Sequence, residues 1–306
     1  MRNLVLGIIA LTLAACAADV SKATPERVAS TRQALSDDPF AVILRNDSSR
    51  GDLYHDDFNA SLGVSVSGSS RVTQWANQTG DGDAFPDVLE TDRRDPTFAE
   101  YTETKPVYSA TSFDGSPGVT SDHWAEQLGA TLTSAIPSGN RPYVWIVIDG
   151  AQFSPTYELY FTSLHDTQNG DWPVSMIEAA TSIAGTQVWD YWRGDDSDPT
   201  CSTSCGYSQI LDGSPTSGKH LVEIGMPATG VIPLVVDGVP IGTPYPDTGG
   251  AASLDMNGLW LFGSPESSIG MKVTIARVIV ASDQPSASQL SAMRSQFVST
   301  YGVTLN

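Results

Sequence analysis

The chain is written in short apolar runs broken by turn residues, and most of these runs carry the character of strands. Tyr143-Val-Trp-Ile-Val-Ile148, Glu158-Leu-Tyr-Phe-Thr162, His220-Leu-Val-Glu-Ile224, Ile232-Pro-Leu-Val-Val236, Leu259-Trp-Leu-Phe262 and Met271-Lys-Val-Thr-Ile-Ala-Arg-Val-Ile-Val280 are rich in β-branched and aromatic residues, which pack well on a pleated surface. Asp-Gly, Ser-Pro and Gly-Thr-Pro punctuate them, as turn chemistry requires. Asp237-Gly238 after two valines predicts a hairpin, because a tight turn between strands needs positive φ and these residues adopt it at low cost. A single helix is predicted, near the end. Ser286 and Gln289 are spaced as a capping box, and Leu290, Met293, Phe297 and Tyr301 follow at helical spacing before Gly302. That stripe reads as a seam facing the core.

The expected fold is therefore all-β, a jelly-roll sandwich of two antiparallel sheets with a short C-terminal helix. No second linker and no repeat occurs after residue 40, so residues 40–306 are expected to form one domain, a size that sandwiches often reach. Composition agrees: charged residues are 17% of the chain, against 27 Gly and 19 Pro, the balance of a turn-rich β protein. Residues 17–39 are small, polar and poor in aromatics, too little to bury, and read with Cys16 as a flexible tether spanning 16–39.

The start of the chain supplies an address. Arg2 precedes an apolar run, and Leu13-Ala14-Ala15 leads into Cys16, which resembles a bacterial lipobox. The run is shorter than the about 20 residues that a spanning helix needs, so residues 1–15 read as a cleaved export signal and Cys16 as the lipidated nucleophile. Ala17 rather than aspartate after that cysteine leans, by this resemblance, toward the outer membrane of a bacterial envelope. Once Cys16 is lipidated, Cys201 and Cys205 remain, and an even pair in an exported chain favours one disulfide closing a tight loop. Zinc is the weaker reading, since His55, His123, His165 and His220 are scattered without H-x-x-x-H spacing.

The formal charge is −19, and removing residues 1–15, which carry Arg2 and no acid, takes it to −20. Nucleic acid and anionic lipid surfaces repel such a chain, so any membrane attachment must come through the lipid anchor. Acidity serves solubility, with calcium binding as the sharper alternative.

One stretch resembles a known family. Arg71-Val-Thr-Gln-Trp75-Ala-Asn77-Gln-Thr-Gly80-Asp-Gly82 is similar to the opening of concanavalin A-like lectin/glucanase domains of the laminin-G-like type. Lys105-Pro-Val-Tyr108 and Phe113-Asp114-Gly115 followed by Val119 match the block that comes next. Ile275-Ala-Arg-Val-Ile-Val280, Gln289-Leu-Ser-Ala-Met-Arg294 and Tyr301-Gly302 resemble the closing strand and helix. The likeness covers roughly residues 50–306. It implies a sandwich with Trp75 and Phe113 as core aromatics, and a lectin-like or glucanase-like role, without choosing between them.

No catalytic set stands out. Glu90-Thr-Asp92-Arg-Arg-Asp95 is the nearest match to the E-x-D-x-x-E of related glucanases, but it ends in aspartate. It also sits beside two arginines in a polar stretch, where neither carboxyl would be held protonated. Gly-x-Ser-x-Gly, His-Glu-x-x-His and Ser-x-x-Lys are absent. The best binding candidate is Trp189-Asp-Tyr191-Trp192, with Trp172 as a second. In a strand Trp189 and Tyr191 share one face and Trp192 takes the other. Exposed rings would stack on sugars, while the alternative is that one face packs the core. Asp195, Asp196 and Asp198 could hold a cation, although they lack the order of a calcium loop. Arg-Gly-Asp at 50–52 and 193–195 is short enough to arise by chance.

The expected function is non-catalytic recognition of a glycan or another envelope or extracellular ligand by a surface-anchored module. A diverged polysaccharide hydrolase or lyase is the runner-up, and a structural or adhesive surface lipoprotein is the third reading.

Overall fold

Strand and helix signals in the sequence translate into a sandwich because each strand's alternation gives the main sheet two different partners. A computed structural model describes residues 38–45, 51–79, 84–85, 106–121, 128–137, 140–152, 159–166, 172–181, 187–192, 218–225, 230–244, 256–263 and 272–306. In chain order its elements are α1 (Pro39–Arg45), β1 (Tyr54–Asn59), β2 (Val64–Val66), β3 (Val72–Ala76), β4 (Ala84–Phe85), β5 (Val107–Phe113), β6 (Ser116–Thr120), β7 (Leu128–Ile136) and β8 (Tyr143–Gln152). Then come β9 (Leu159–Asp166), β10 (Trp172–Thr181), β11 (Gln187–Trp192), β12 (Lys219–Gly225), β13 (Leu234–Val236), β14 (Val239–Ile241), β15 (Met256–Leu261), β16 (Lys272–Ala281) and α2 (Ala287–Tyr301).

Eight strands form the larger sheet in the order β14-β13-β12-β8-β16-β6-β5, with β1 also paired to β16. Five form the second, β11-β10-β9-β15-β7. A third sheet, β2-β3-β4, was not expected from the sequence; its short strands pair Val64 with Trp75 and Trp75 with Phe85. All the strand pairs among the described residues are antiparallel. The fold is thus the antiparallel sandwich with a C-terminal helix that the pattern predicts.

Period-two alternation divides the core in two. Along β8, Val144, Ile146 and Ile148 enter the cluster between the two large sheets, with Leu259 and Leu261 of β15, Trp189 of β11 and Trp75 of β3. The intervening Tyr143, Trp145 and Val147 enter a second cluster with Phe40 and Leu44 of α1 and Met293 and Phe297 of α2. Both helices therefore roof the outer face of the eight-stranded sheet. Trp75 is wholly buried and Phe113 nearly so, each in a different cluster.

Local chemistry fixes the ends. Val236 and Val239 pair across a turn in which Asp237 and Gly238 have φ of 52° and 80°, both in the left-handed region that a type I′ hairpin requires. Ser286 caps α2 and makes the reciprocal box with Gln289, and Gly302 closes the helix at φ 66°. The helix α1 lay outside the sequence expectation, being only seven residues long. It begins at Asp38, whose carboxylate accepts from the Phe40 backbone N–H at 2.9 Å. Asp38 was assigned to the tether, yet it caps a helix and pairs with Arg277, so the packed structure reaches back at least that far.

Candidate functional site

Charged residues on a sheet face must be hydrogen-bonded if they are buried, and under the helices they are. A bulge between Ile275 and Arg277 breaks the alternation of β16. Ala276 and Ile279 stay with the helix-side cluster while Val278 returns to the inter-sheet core. Arg277 faces the helices, where its Nε donates to Asp57 Oδ1 at 2.7 Å and its Nη2 to Asp38 Oδ2 at 2.9 Å. Its guanidinium lies 4.4 Å from the Phe40 ring centre. The Tyr54 hydroxyl donates to Asp57 as well. Burial raises the Asp57 carboxyl above the usual range and Arg277 draws it back. The Tyr301 hydroxyl beside them is pushed up to about 12, chiefly by burial.

A second cluster is centred two strands over, across β8. Glu223 of β12 is fully buried; it accepts from Arg294 Nε of α2 at 2.8 Å and from the Tyr143 hydroxyl at 3.1 Å. Its carboxyl is raised by burial and lowered by Arg294. A third connection joins Asn77, just after β3, to β1: its Nδ2 donates to the buried Asp56, and its Oδ1 accepts from the Asp57 N–H at 2.8 Å. All three connections lock elements together, and their polar atoms are engaged by protein partners.

The outer face of the five-stranded sheet differs. Leu259 and Leu261 point into the core, so Trp260 takes the opposite parity, where it too is buried. Register carries that face across the sheet. Trp260 is opposite Ser163, Ser163 opposite Met176, and Met176 opposite Trp192. The next row places Tyr160 opposite Glu178 and Glu178 opposite Asp190. Two aromatic and two acidic positions thus share this parity with Trp260 across four strands, on a sheet against which neither helix forms a core cluster among the described residues.

Trp189 requires a correction. It is fully buried in the inter-sheet core, because the alternation of β11 points it at the larger sheet; it packs and offers no ring to a ligand. Tyr191 shares its parity and pairs with Ile177, whereas Trp192 takes the outer parity. Trp172 opens β10 opposite Asp166. Cys16, the pair Cys201 and Cys205, and Asp195, Asp196 and Asp198 lie outside the described residues, as do Glu90, Asp92 and Asp95. Among the described residues no group of His, Cys, Asp and Glu is placed to hold a metal ion, and no helix is long and apolar enough to cross a membrane. The opposition of Glu178 and Asp190 was not legible: they belong to no motif, and only the register between the consecutive strands β10 and β11 joins them.

No protein-family model matches the chain, and no curated protein matches it. Solved structures do resemble it. Trypanosoma rangeli sialidase in complex with sialic acid matches with TM-score 0.57 and 10% identity, over 90% of this chain and 39% of that one. The botulinum neurotoxin serotype D binding domain matches with TM-score 0.51 and 10% identity, over 80% of this chain and 51% of that one. The receptor-binding domain of botulinum neurotoxin D gives the same score and identity, with 53% of that chain covered. This chain therefore spans about two fifths of the sialidase and about half of the toxin domain. The class so defined is an antiparallel β-sandwich shared with these proteins; at such identity the likeness shows the fold alone.

Proposed function

We propose that this domain recognises neutral glycans on the outer face of its five-stranded sheet, held at a bacterial envelope by a lipid on Cys16. The observation that carries the reading is the register that sets Trp192 and Trp260 in one row and Tyr160, Glu178 and Asp190 in the next. Sugars present apolar C–H faces that stack on aromatic rings, and hydroxyls that donate to carboxylates. Neutral glycans are favoured over sialylated ones because the face carries two acids and the chain −19 overall, which repels an anionic sugar. The sialidase and toxin likenesses support a sandwich suited to such surfaces and nothing finer.

A glycan array tests this. Signal on neutral oligosaccharides, lost with Trp192→Ala at an unchanged melting temperature, is the expected result. Signal confined to sialylated glycans, or none at all, overturns it. The anchor has its own test: Cys16→Ser should release the protein from membranes.

One observation favours a hydrolytic alternative. Retaining glycosidases need two carboxyl groups on one face of a site, and residues directly opposed on antiparallel strands share a face. Glu178 and Asp190 are so opposed. Release of reducing sugar from a bound glycan, abolished by Glu178→Gln with binding retained, would establish it.

A further inference from the structure

Beyond the glycan face, and independently of it, the other sheet carries a polar row that the fold does not need. On β8 the alternation that sends Tyr143, Trp145 and Val147 beneath the helices puts Asp149 on the same side. Register then continues it across four strands: Lys219 of β12 opposite Asp149, Asp149 opposite Thr274 of β16, and Thr274 opposite Thr120 of β6. This row lies just past the end of the helix roof, where Gly302 approaches Lys219 so closely that a Cβ would stand 3.0 Å from its Nζ. Lys219 is engaged, its Nζ 2.9 Å from Asp114 Oδ2. The remainder of the row borders an open cleft of about 410 Å³, lined among the described residues by Ser112, Thr120, Ser121, Asp149, Lys272 and Thr274.

Gly118 on β6 makes the lining converge: a Cβ there would meet Thr274 Cγ2 at 2.6 Å and Ser112 Oγ at 2.7 Å, so only glycine lets these side chains close on one another. The Thr120 and Thr274 hydroxyls lie 2.8 Å apart and share one hydrogen bond, leaving acceptor capacity on both oxygens. The Asp149 carboxylate is half-buried at the cavity wall. A carboxylate that only accepts, an ammonium that only donates and hydroxyls that do both match the alternating groups of a polyol. Among the described residues the lining is polar apart from Gly150 and Val273, so hydrogen bonding carries the contact they can offer. The volume falls near the low end of the about 300–1,000 Å³ of small-ligand pockets, which suits one sugar ring. A bare metal cation is disfavoured by the Lys272 ammonium in the same wall.

From this we infer that the cavity is a second binding site, for a single neutral, monosaccharide-sized polyol, on the sheet opposite the glycan face. The test titrates the full chain, in a detergent without sugar, with glucose, galactose and myo-inositol up to about 50 mM, since hydrogen-bonded sites of this size bind in the millimolar range. Calorimetry and saturation-transfer NMR read the binding. At least one probe should saturate. Asp149→Asn and Thr274→Val should each weaken it about tenfold or more, and Trp192→Ala should leave it unchanged. Should Asp149→Asn melt early, Thr274→Val with Lys272→Gln replaces it. No saturable binding, or binding that survives these substitutions, overturns the inference. Loss with Trp192→Ala alone also overturns it, and would move the ligand to the glycan face; array binding with an empty cavity leaves the proposed function standing without this site.

Discussion

On the outer face of the eight-stranded sheet, Asp57, Glu223 and Arg277 lie beneath two helices and each is taken by named protein partners. On the outer face of the five-stranded sheet, Glu178 and Asp190 stand in opposed register beside aromatic positions, away from both helices. The two faces have comparable chemistry in sequence and different surroundings. A buried charge must be matched within the protein, because desolvation costs several kcal/mol per ion, so charges under a roof are committed to holding it. Ligand-binding chemistry is therefore to be sought where that commitment ends: on the sheet against which neither helix packs among the described residues, and at the polar row where the roof stops.

The comparison breaks first at Arg277. Arg277→Met leaves Asp57 fully buried without its guanidinium and should cost about 3–5 kcal/mol, as loss of one partner of a buried pair does. That is a large share of a total of about 5–15 kcal/mol. Urea denaturation measures it, and a loss below about 1 kcal/mol would show that the roof does not depend on the pair. Trp189→Ala, on the inner side of the other sheet, should cost a similar amount, about 3–5 kcal/mol. A near-native melting temperature for that variant would return Trp189 to the surface and to the ligand candidates.

Arg294→Ala should cost about 2–3 kcal/mol at pH 7, less than a fully buried pair because Arg294 is partly exposed. Its pH dependence sharpens the comparison. Burial raises the Glu223 carboxyl in the fold above its value of about 4.3 in the unfolded chain. As pH rises the unfolded chain loses that proton first. The stability that Glu223 contributes is thus fully present below about pH 4.3 and lost as pH rises through the folded value. Removing Arg294 raises the folded value further, so the cost of Arg294→Ala should shrink as pH falls from 7 toward 4. Glu223→Gln in the same background should flatten that slope; no slope in the original background would place an ionised, well-solvated carboxylate there, uncoupled from Arg294.

Smaller effects follow at the margin and on the open face. Ser286→Ala removes the cap of the roof helix and should cost about 1 kcal/mol, read as a shift in urea midpoint without change in slope. Under the proposed glycan role, Trp192→Ala should change stability by no more than about 0.5 kcal/mol; a loss of several kcal/mol would assign its ring to the core and end its claim as a binding residue.

How much of this could be read from the chain follows from where each signal lives. The α2 cap pair Ser286 and Gln289, its apolar stripe and the Asp237-Gly238 turn are local, set by a few bonds of backbone geometry, and each stands where the pattern put it. Trp75 and Phe113 are buried as the resemblance implied. Asn77, conspicuous in the same motif, turns out to join the end of β3 to β1. The binding candidates were less legible. Trp189, Tyr191 and Trp192 alternate visibly, but a strand's two faces are equivalent until a neighbouring sheet buries one, and the sheet chose Trp189.

The amino-acid sequence by itself determined the strand runs, the hairpin and helix caps and the all-β class, because each depends on neighbours within a few residues. Only the tertiary structure decided which parity of β11 faces the core, that a bulge turns Arg277 toward α1, that Glu178 meets Asp190, and that Asp149, Thr274 and Thr120 share one row. Those facts rest on strand register, and register is settled by the burial of whole faces against distant segments, which no local stretch of sequence encodes.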